Sequence, residues 1–242
     1  MSLVNRLAGA CLAASLLMGA SGVAHAEDAA APEMPFTVTG SVTIGSDYNL
    51  RGISQTDRSP TLQGGLTFTV DPGFFASVWA SNVDFNDNSA ASLELDYLVG
   101  YTGTIDAFSY TGQVIFYTYP GASGSLNYNY IEGNIGLAYD LGGIIPNVNV
   151  YYSPDTFGGV GKAWYYTGGL KTAKLADMFV LYANVGKYAY HRAGIKDATD
   201  FNAGVITTVY GIDLNLQYAH NNDKSYGKWS KGRVILTATK AF

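Results

Sequence analysis

From Phe36 to the C-terminus, apolar and polar residues alternate with a period of two, the spacing of a strand that shows its two faces to different surroundings. In the first segment Phe36, Val38, Gly40, Val42 and Ile44 share one phase, and Thr37, Thr39, Ser41, Thr43, Gly45 and Asp47 the other. The second sets Leu62, Gly64, Leu66, Phe68 and Val70 against Thr61, Gln63, Gly65, Thr67 and Thr69, and ends at the turn-forming Asp71-Pro72-Gly73. The last, 230–242, opposes Gly232, Val234, Leu236, Ala238 and Lys240 to Lys231, Arg233, Ile235, Thr237, Thr239 and Ala241. Segments of the same kind at 74–84, 92–101, 108–119, 129–139, 147–153, 162–172, 178–188, 199–209 and 212–221 bring the predicted strands to twelve.

The connections alternate as well. After even-numbered strands they are short, at 71–73, 103–107, 140–146, 173–177 and 210–211. After odd-numbered strands they are mostly longer and more polar, at 49–60, 85–91, 120–127, 154–161, 189–198 and 222–229. This predicts an antiparallel meander with turns at one end and loops at the other, and an even strand count returns the chain to the end where it started. The first and last segments alternate in the same sense, so they can pair and close the sheet without leaving an unbonded edge.

Composition decides what the apolar face meets. Only 14% of residues are charged, beside 19 Tyr, 11 Phe and 29 Gly, where a soluble domain carries roughly 25% charge. After the N-terminal segment no apolar run approaches the roughly 20 residues of a spanning helix. Strands that put every second residue into lipid produce such a composition. The expected fold is therefore all-β, a closed antiparallel transmembrane β-barrel of about twelve strands, with one domain at 36–242, short periplasmic turns and longer extracellular loops. The final strand, ending on Phe242, resembles the closing strand of bacterial outer-membrane proteins. That resemblance implies the barrel-assembly machinery as a partner through this strand, and outer-membrane lipid as the barrel's surroundings.

Residues 1–26 have the order of an export signal: Arg6 is basic, 7–22 is apolar around Leu16-Leu17-Met18, and Ala24-His25-Ala26 places small residues where a signal peptidase cuts. Export from a Gram-negative cytoplasm to the outer membrane follows. Cys11, the only cysteine, lies within the removed segment; too little apolar sequence precedes it for a lipid-attachment site, and Ala8 suits one poorly. The mature chain is thus expected to hold together without disulfides. Removal of Arg6 takes the net charge from −5 to −6, which excludes a basic nucleic-acid surface. Residues 27–35, rich in Ala, Pro and acids, read as a short disordered periplasmic lead.

One motif is distinctive. Gly45-Ser-Asp47-Tyr-Asn-Leu-Arg51-Gly-Ile-Ser-Gln-Thr56, followed by Pro60-Thr-Leu-Gln-Gly-Gly65, resembles the opening signature of the TorF family of porin-like proteins. Glu94-Leu-Asp96-Tyr97 with Gly100-Tyr101, then Tyr130-Ile-Glu132 and Tyr152-Ser-Pro-Asp155, fit the same family's spacing of acidic and aromatic pairs. The resemblance spans essentially the whole mature chain and implies an outer-membrane barrel of porin type. It carries over no substrate and no binding residue.

The polar phases assign Asp47, Gln63, Glu94, Asp96, Gln113, Glu132, Asp213 and Gln217 to the lumen, with Lys171, Lys231 and Arg233 as cations. Together with Arg51 they are the candidate pore-lining or constriction residues. Asp47 and Arg51, four residues apart, are expected to pair and pin the first loop over the pore, helped by Gln55 and Thr56. Twelve strands enclose less than the sixteen to eighteen of an open porin, so a narrow channel for ions or small polar solutes is expected, slightly cation-preferring, and compatible with a homo-oligomer. The Tyr and Trp at segment ends, Tyr117, Tyr119, Tyr128, Tyr151, Tyr152, Trp164, Tyr165, Tyr188, Tyr190, Tyr226 and Trp229, read as interfacial girdles.

Two other classes remain open. A non-conducting structural or adhesive barrel would look the same at this level, although the loops are short for adhesion. An outer-membrane enzyme has little to build on: His191 and His220 alone survive cleavage, both reading as solvated interface residues, and no Gly-x-Ser-x-Gly elbow exists. No cofactor or metal is expected, since residues 84–88 lack the glycine and glutamate of a calcium loop and the Gly pairs fall in strands or turns.

Overall fold

The computed structural model describes residues 36–242; the expected export signal and periplasmic lead lie outside the described residues. The strands are β1 (Phe36–Gly45), β2 (Asn49–Leu50), β3 (Ile53–Ser54), β4 (Thr61–Val70), β5 (Phe74–Asn82), β6 (Leu93–Ile105) and β7 (Phe108–Thr118). They continue as β8 (Tyr130–Tyr139), β9 (Ile144–Ser153), β10 (Ala163–Thr172), β11 (Phe179–Tyr190), β12 (Ala198–Val209), β13 (Ile212–Asn221) and β14 (Arg233–Ala241). All but β2 and β3 form one closed antiparallel barrel, in which each strand pairs with its neighbours in sequence and β14 returns to β1.

Closure follows the expected register. On one side β1 pairs with β4 from Phe36 opposite Val70 to Gly45 opposite Thr61. On the other it pairs with β14 from Ser41 opposite Ala241 to Gly45 opposite Thr237. Phe242 extends that seam: Gly40 N–H donates to the Phe242 carbonyl at 2.8 Å, and Phe242 N–H to the Gly40 carbonyl at 2.9 Å. Every barrel strand therefore has a partner on both sides, which is what a sheet must achieve in lipid, where no water can satisfy an unpaired backbone group.

Period-two alternation becomes inside and outside. Val38, Val42, Ile44, Leu62, Leu66 and Phe68 stand exposed on the outer wall, joined at the rim by Trp164, whose ring lies 4.7 Å from Tyr152 and 6.1 Å from Tyr166. The inner wall carries cross-strand hydroxyl pairs, Thr43 with Thr239 at 2.8 Å, Thr67 with Ser77 at 2.9 Å and Thr61 with Ser81 at 3.0 Å. Rows of amides continue it, Gln113 donating to Asn134 at 3.1 Å and Asn184 to Asn202 at 3.0 Å.

Three boundaries differ from expectation. The strand β6 continues to Ile105, so the turn shrinks to Asp106-Ala107, with Asp106 at φ 52°. The strand β9 begins at Ile144 and runs through Pro146. Proline is tolerated there because pairing with β8 ends at Ala138 opposite Asn147, so its missing N–H breaks no ladder bond with that strand. Lys231 lies before β14 and is solvent-exposed at the outer mouth, not in the lumen.

The girdle expectation is corrected for six of its eleven members. Tyr117, Tyr119, Tyr128, Tyr151, Tyr165 and Tyr188 are buried and pack in the barrel's aromatic core, not at the lipid interface. A ring one residue out of phase with the lipid face points inward, however close it lies to a strand end.

Two glycines on adjacent strands give a test of this wall. A Cβ on inward-facing Gly100 would stand 2.5 Å from the Gly112 carbonyl oxygen and 2.7 Å from the Phe75 ring, whereas one on outward-facing Gly112 would meet nothing within 4 Å. Gly100→Val is expected to destabilise the barrel by about 2 kcal/mol or more through overpacking, and Gly112→Val to be neutral. Urea titration followed by gel mobility measures both, and equal losses at the two sites would contradict the assignment of faces.

Candidate functional site

The first extracellular loop does not stay outside. Between β1 and β4 it turns into the barrel as a two-strand hairpin, with Asn49 paired to Ser54 and Leu50 to Ile53. Arg51 and Gly52 form its two-residue tip at φ 45° and 80°, the doubly left-handed backbone of a tight hairpin turn. Glycine is required at the second position, because a Cβ there would lie 2.4 Å from the His220 carbonyl oxygen. Leu50 is 1% exposed and Ile53 is 7% exposed, so both arms of the hairpin are buried as a plug in the outer half of the lumen.

At the tip, Arg51 reaches across the barrel. Its guanidinium donates to both carboxylate oxygens of Glu132, at 3.2 and 2.8 Å. It lies 4.0 Å from the centre of the Tyr165 ring and 4.9 Å from those of Tyr151 and Tyr188. A planar cation with a bidentate partner and aromatic faces around it is the geometry guanidinium suits and ammonium does not. Tyr117 OH donates to Glu132 at 3.1 Å, and Tyr165 OH to Asp200 at 3.1 Å. Asn221 Nδ2 fastens the tip to the wall through the Arg51 carbonyl at 2.9 Å.

The base of the hairpin is held separately. Asp47 accepts from Ser54 Oγ at 2.6 Å and Thr56 Oγ1 at 2.9 Å, and it pairs with Arg233 Nε. Arg233 then donates to the Gly52 carbonyl at 2.9 Å, the Trp229 carbonyl at 3.0 Å and Asn49 Oδ1 at 3.0 Å. The expected Asp47–Arg51 pair is thus replaced by two crossed pairs, Asp47 with Arg233 and Arg51 with Glu132. The reason is the hairpin itself, which puts Asp47 at its base and Arg51 at its tip.

Six of the residues selected from sequence, Asp47, Arg51, Glu94, Asp96, Glu132 and Arg233, gather around this plug. Glu94, Asp96 and Glu132 are at most 1% exposed. Tyr48 OH donates weakly to Glu94, at 3.5 Å, and neither oxygen of Asp96 has a hydrogen-bond partner among the described residues. Gln217 touches the hairpin through Asn49, at 3.4 Å, Lys231 lies at the outer mouth, and four others stand apart. Gln63 and Gln113 sit mid-wall, while Lys171 and Asp213 lie near the periplasmic rim, with Thr208 donating to Asp213 at 2.7 Å. Sequence reasoning missed Asp200 and the inward direction of Tyr151, Tyr165 and Tyr188. Phase carried the signal, since Tyr151 and Tyr165 alternate with lipid-facing Tyr152 and Trp164. No group of three or more His, Cys, Asp or Glu among the described residues has the geometry of a metal site.

Asp47→Ala would leave the Arg233 guanidinium, buried in the same anchor, without its counter-ion, at a cost of about 3 kcal/mol or more. The base of the plug is then expected to loosen before the barrel does. Limited proteolysis of the folded protein should cut within 46–60 in the variant and spare the parent, and equal resistance would count against the anchor.

This twelve-stranded antiparallel barrel, with a lipid-facing wall and a loop folded into its lumen, has the fold of the outer-membrane porins. Its likeness to solved structures is to the KdgM porin, at TM-score 0.57 and 7% identity over 85% of this chain and 99% of that one. The NanC porin gives 0.55 and 11%, over 85% and 98%. A second KdgM structure, described as a complex with disordered oligogalacturonate, gives 0.56 and 7%, over 85% and 99%. No curated protein matches the chain in sequence. The model of a family described as "Bacterial protein of unknown function (Gcw_chp)" matches residues 29–241, and the chain belongs to that family.

Proposed function

We propose that the protein is an outer-membrane channel of porin type, passing ions or small polar solutes down their gradients through a narrow lumen, with no catalysis. The observation that carries this reading is the division of the lumen. Its periplasmic half is lined by partly exposed amides and hydroxyls such as Thr102, Thr111, Asn147 and Asn215, while its outer half is closed by a loop hairpin seated among the tyrosines of the wall. A hairpin held by side chains is a removable constriction; a lumen filled by its own strands is not. The export signal at 1–26 and the motif's resemblance to the TorF family support the same reading and the location in a Gram-negative outer membrane. Once the plug yields and water reaches the acids Glu94, Asp96, Glu132 and Asp200, their carboxylates outnumber Arg51 around the path, so cations are favoured.

A second reading, a non-conducting barrel, is favoured by the complete burial of Tyr117 and Glu94 in the outer half. Planar-bilayer recording of the refolded chain under a salt gradient separates the two. Discrete conductance steps with a cation-selective reversal potential are expected. A silent bilayer, with a heat-modifiable gel band showing that the barrel had folded, would instead establish the closed structural barrel.

A further inference from the structure

We infer that the outer mouth carries a binding site for a neutral saccharide, in a cleft of about 270 Å³ between the first, second and sixth extracellular loops. The inference is separate from conduction, because the cleft opens to the medium on the outer side of the plug, whose arm Ile53-Ser54 forms part of its wall. Three partly exposed rings line it, Phe85, Tyr226 and Trp229. The Phe85 ring is backed by Phe157 at 5.5 Å and Tyr128 at 5.6 Å, so that wall is rigid. Rings held in this way offer flat apolar faces to the C–H side of a sugar, which shares with them the need for an apolar face beside polar edges.

The polar groups narrow the ligand class. Gln55 also lines the cleft and is 1% exposed; its amide nitrogen donates to the Ile53 carbonyl at 3.2 Å, and its amide oxygen has no hydrogen-bond partner among the described residues. A buried acceptor without a donor is costly, and a ligand hydroxyl supplies one. Lys228 is paired with Asp57 at 2.5 Å. Burial acts to raise the Asp57 carboxyl, but the bonds from Lys228 and Trp229 outweigh it and hold the group below its ordinary value, so the pair is ionised at neutral pH. The remaining charge on the wall is Asp87, an acceptor that takes the Tyr128 hydroxyl. Burial raises the Tyr128 phenol and the Asp87 carboxylate adds to the effect, so Tyr128 stays a neutral donor. With its one lysine matched and an acid in its wall, the cleft repels an acidic sugar and accepts a neutral one.

The test uses the full mature chain folded in an alkyl-amine-oxide detergent, which carries no sugar headgroup. Trp229 is made the sole indole by Trp79→Phe and Trp164→Phe, and its fluorescence is titrated with maltotriose, cellotriose, chitotriose, trigalacturonate and ethanolamine. Saturable binding of at least one neutral trisaccharide is expected, weakened about tenfold by Gln55→Leu or by Tyr226→Ala. Tyr226 is partly exposed and stands in a loop outside the barrel strands, so its removal keeps the test decisive if the Gln55 variant fails to fold. No response to any neutral trisaccharide, response to trigalacturonate or ethanolamine alone, or affinity unmoved by Tyr226→Ala would each overturn the inference.

Discussion

Replacing Arg51 by alanine is expected to open the channel. The substitution leaves Glu132, buried in the lumen wall, without its partner, a loss of about 3–5 kcal/mol in comparable buried pairs. It also removes the guanidinium from the faces of Tyr151, Tyr165 and Tyr188, about 2 kcal/mol more for a desolvated cation over rings. The barrel ladder takes no part in these contacts, so the loss falls on the seating of the hairpin and not on the fold. At about 1.4 kcal/mol per tenfold in population, the plugged state yields to one in which the hairpin has left and water reaches Glu132. Single-channel conductance should rise several-fold and the reversal potential should move further toward cations, because the cation in the path has gone and four acids stay. Unchanged conductance would show that the hairpin is not the constriction.

Two companion variants separate charge from bulk. Arg51→Ala with Glu132→Ala removes both members of the pair and should cost less than the single change, because no buried charge is stranded. Asp96→Asn should cost little or nothing, since neither carboxyl oxygen has a hydrogen-bond partner among the described residues and the amide has nearly the same shape. If Asp96→Asn proved as damaging as Glu132→Ala, the acids would be acting as one network and the pairwise account would fail.

The strands were legible because their cause is local: lipid on one side and polar lumen on the other impose the period of two on each segment alone. The closing pair was legible for the same reason, since both ends of the barrel alternate in one sense. The plug was not. Arg51 and Glu132 lie 81 residues apart and Asp47 and Arg233 lie 186 apart, and proximity in sequence favoured the wrong Asp47–Arg51 pair. The rings were misjudged because a Tyr near a strand end satisfies both an interface and an aromatic core, and only phase distinguishes Tyr151 from Tyr152. A signal for the hairpin was present in Leu50-Arg51-Gly52-Ile53, where a residue and a glycine between two apolar positions mark a two-residue turn. Whether that turn points into the barrel or away from it is a tertiary matter, decided by Asn221, Arg233 and the tyrosine faces.

Gly52→Val tests the seating by shape instead of charge. The tip residue has φ 80°, where a β-branched side chain is strained by about 1–2 kcal/mol or more. The added Cβ would stand 2.4 Å from the His220 carbonyl oxygen, 2.7 Å from its carbon and 2.8 Å from Asn221 Cβ. His220 and Asn221 belong to β13, whose backbone is fixed by pairing with β12 and β14, so the hairpin must move and the wall will not. Moving it breaks together the bonds from Asn221 to the Arg51 carbonyl and from Arg233 to the Gly52 carbonyl, both 2.9 Å. Conductance should rise to the level of Arg51→Ala, but selectivity should shift less, because Arg51 stays tethered beside the path and offsets one of the four acids. Equal conductance with unequal selectivity is what a plug seated by shape and locked by charge requires; a Gly52→Val channel as closed as the parent would mean that the tip can be accommodated elsewhere in the lumen and that the lock at Glu132 alone sets the constriction.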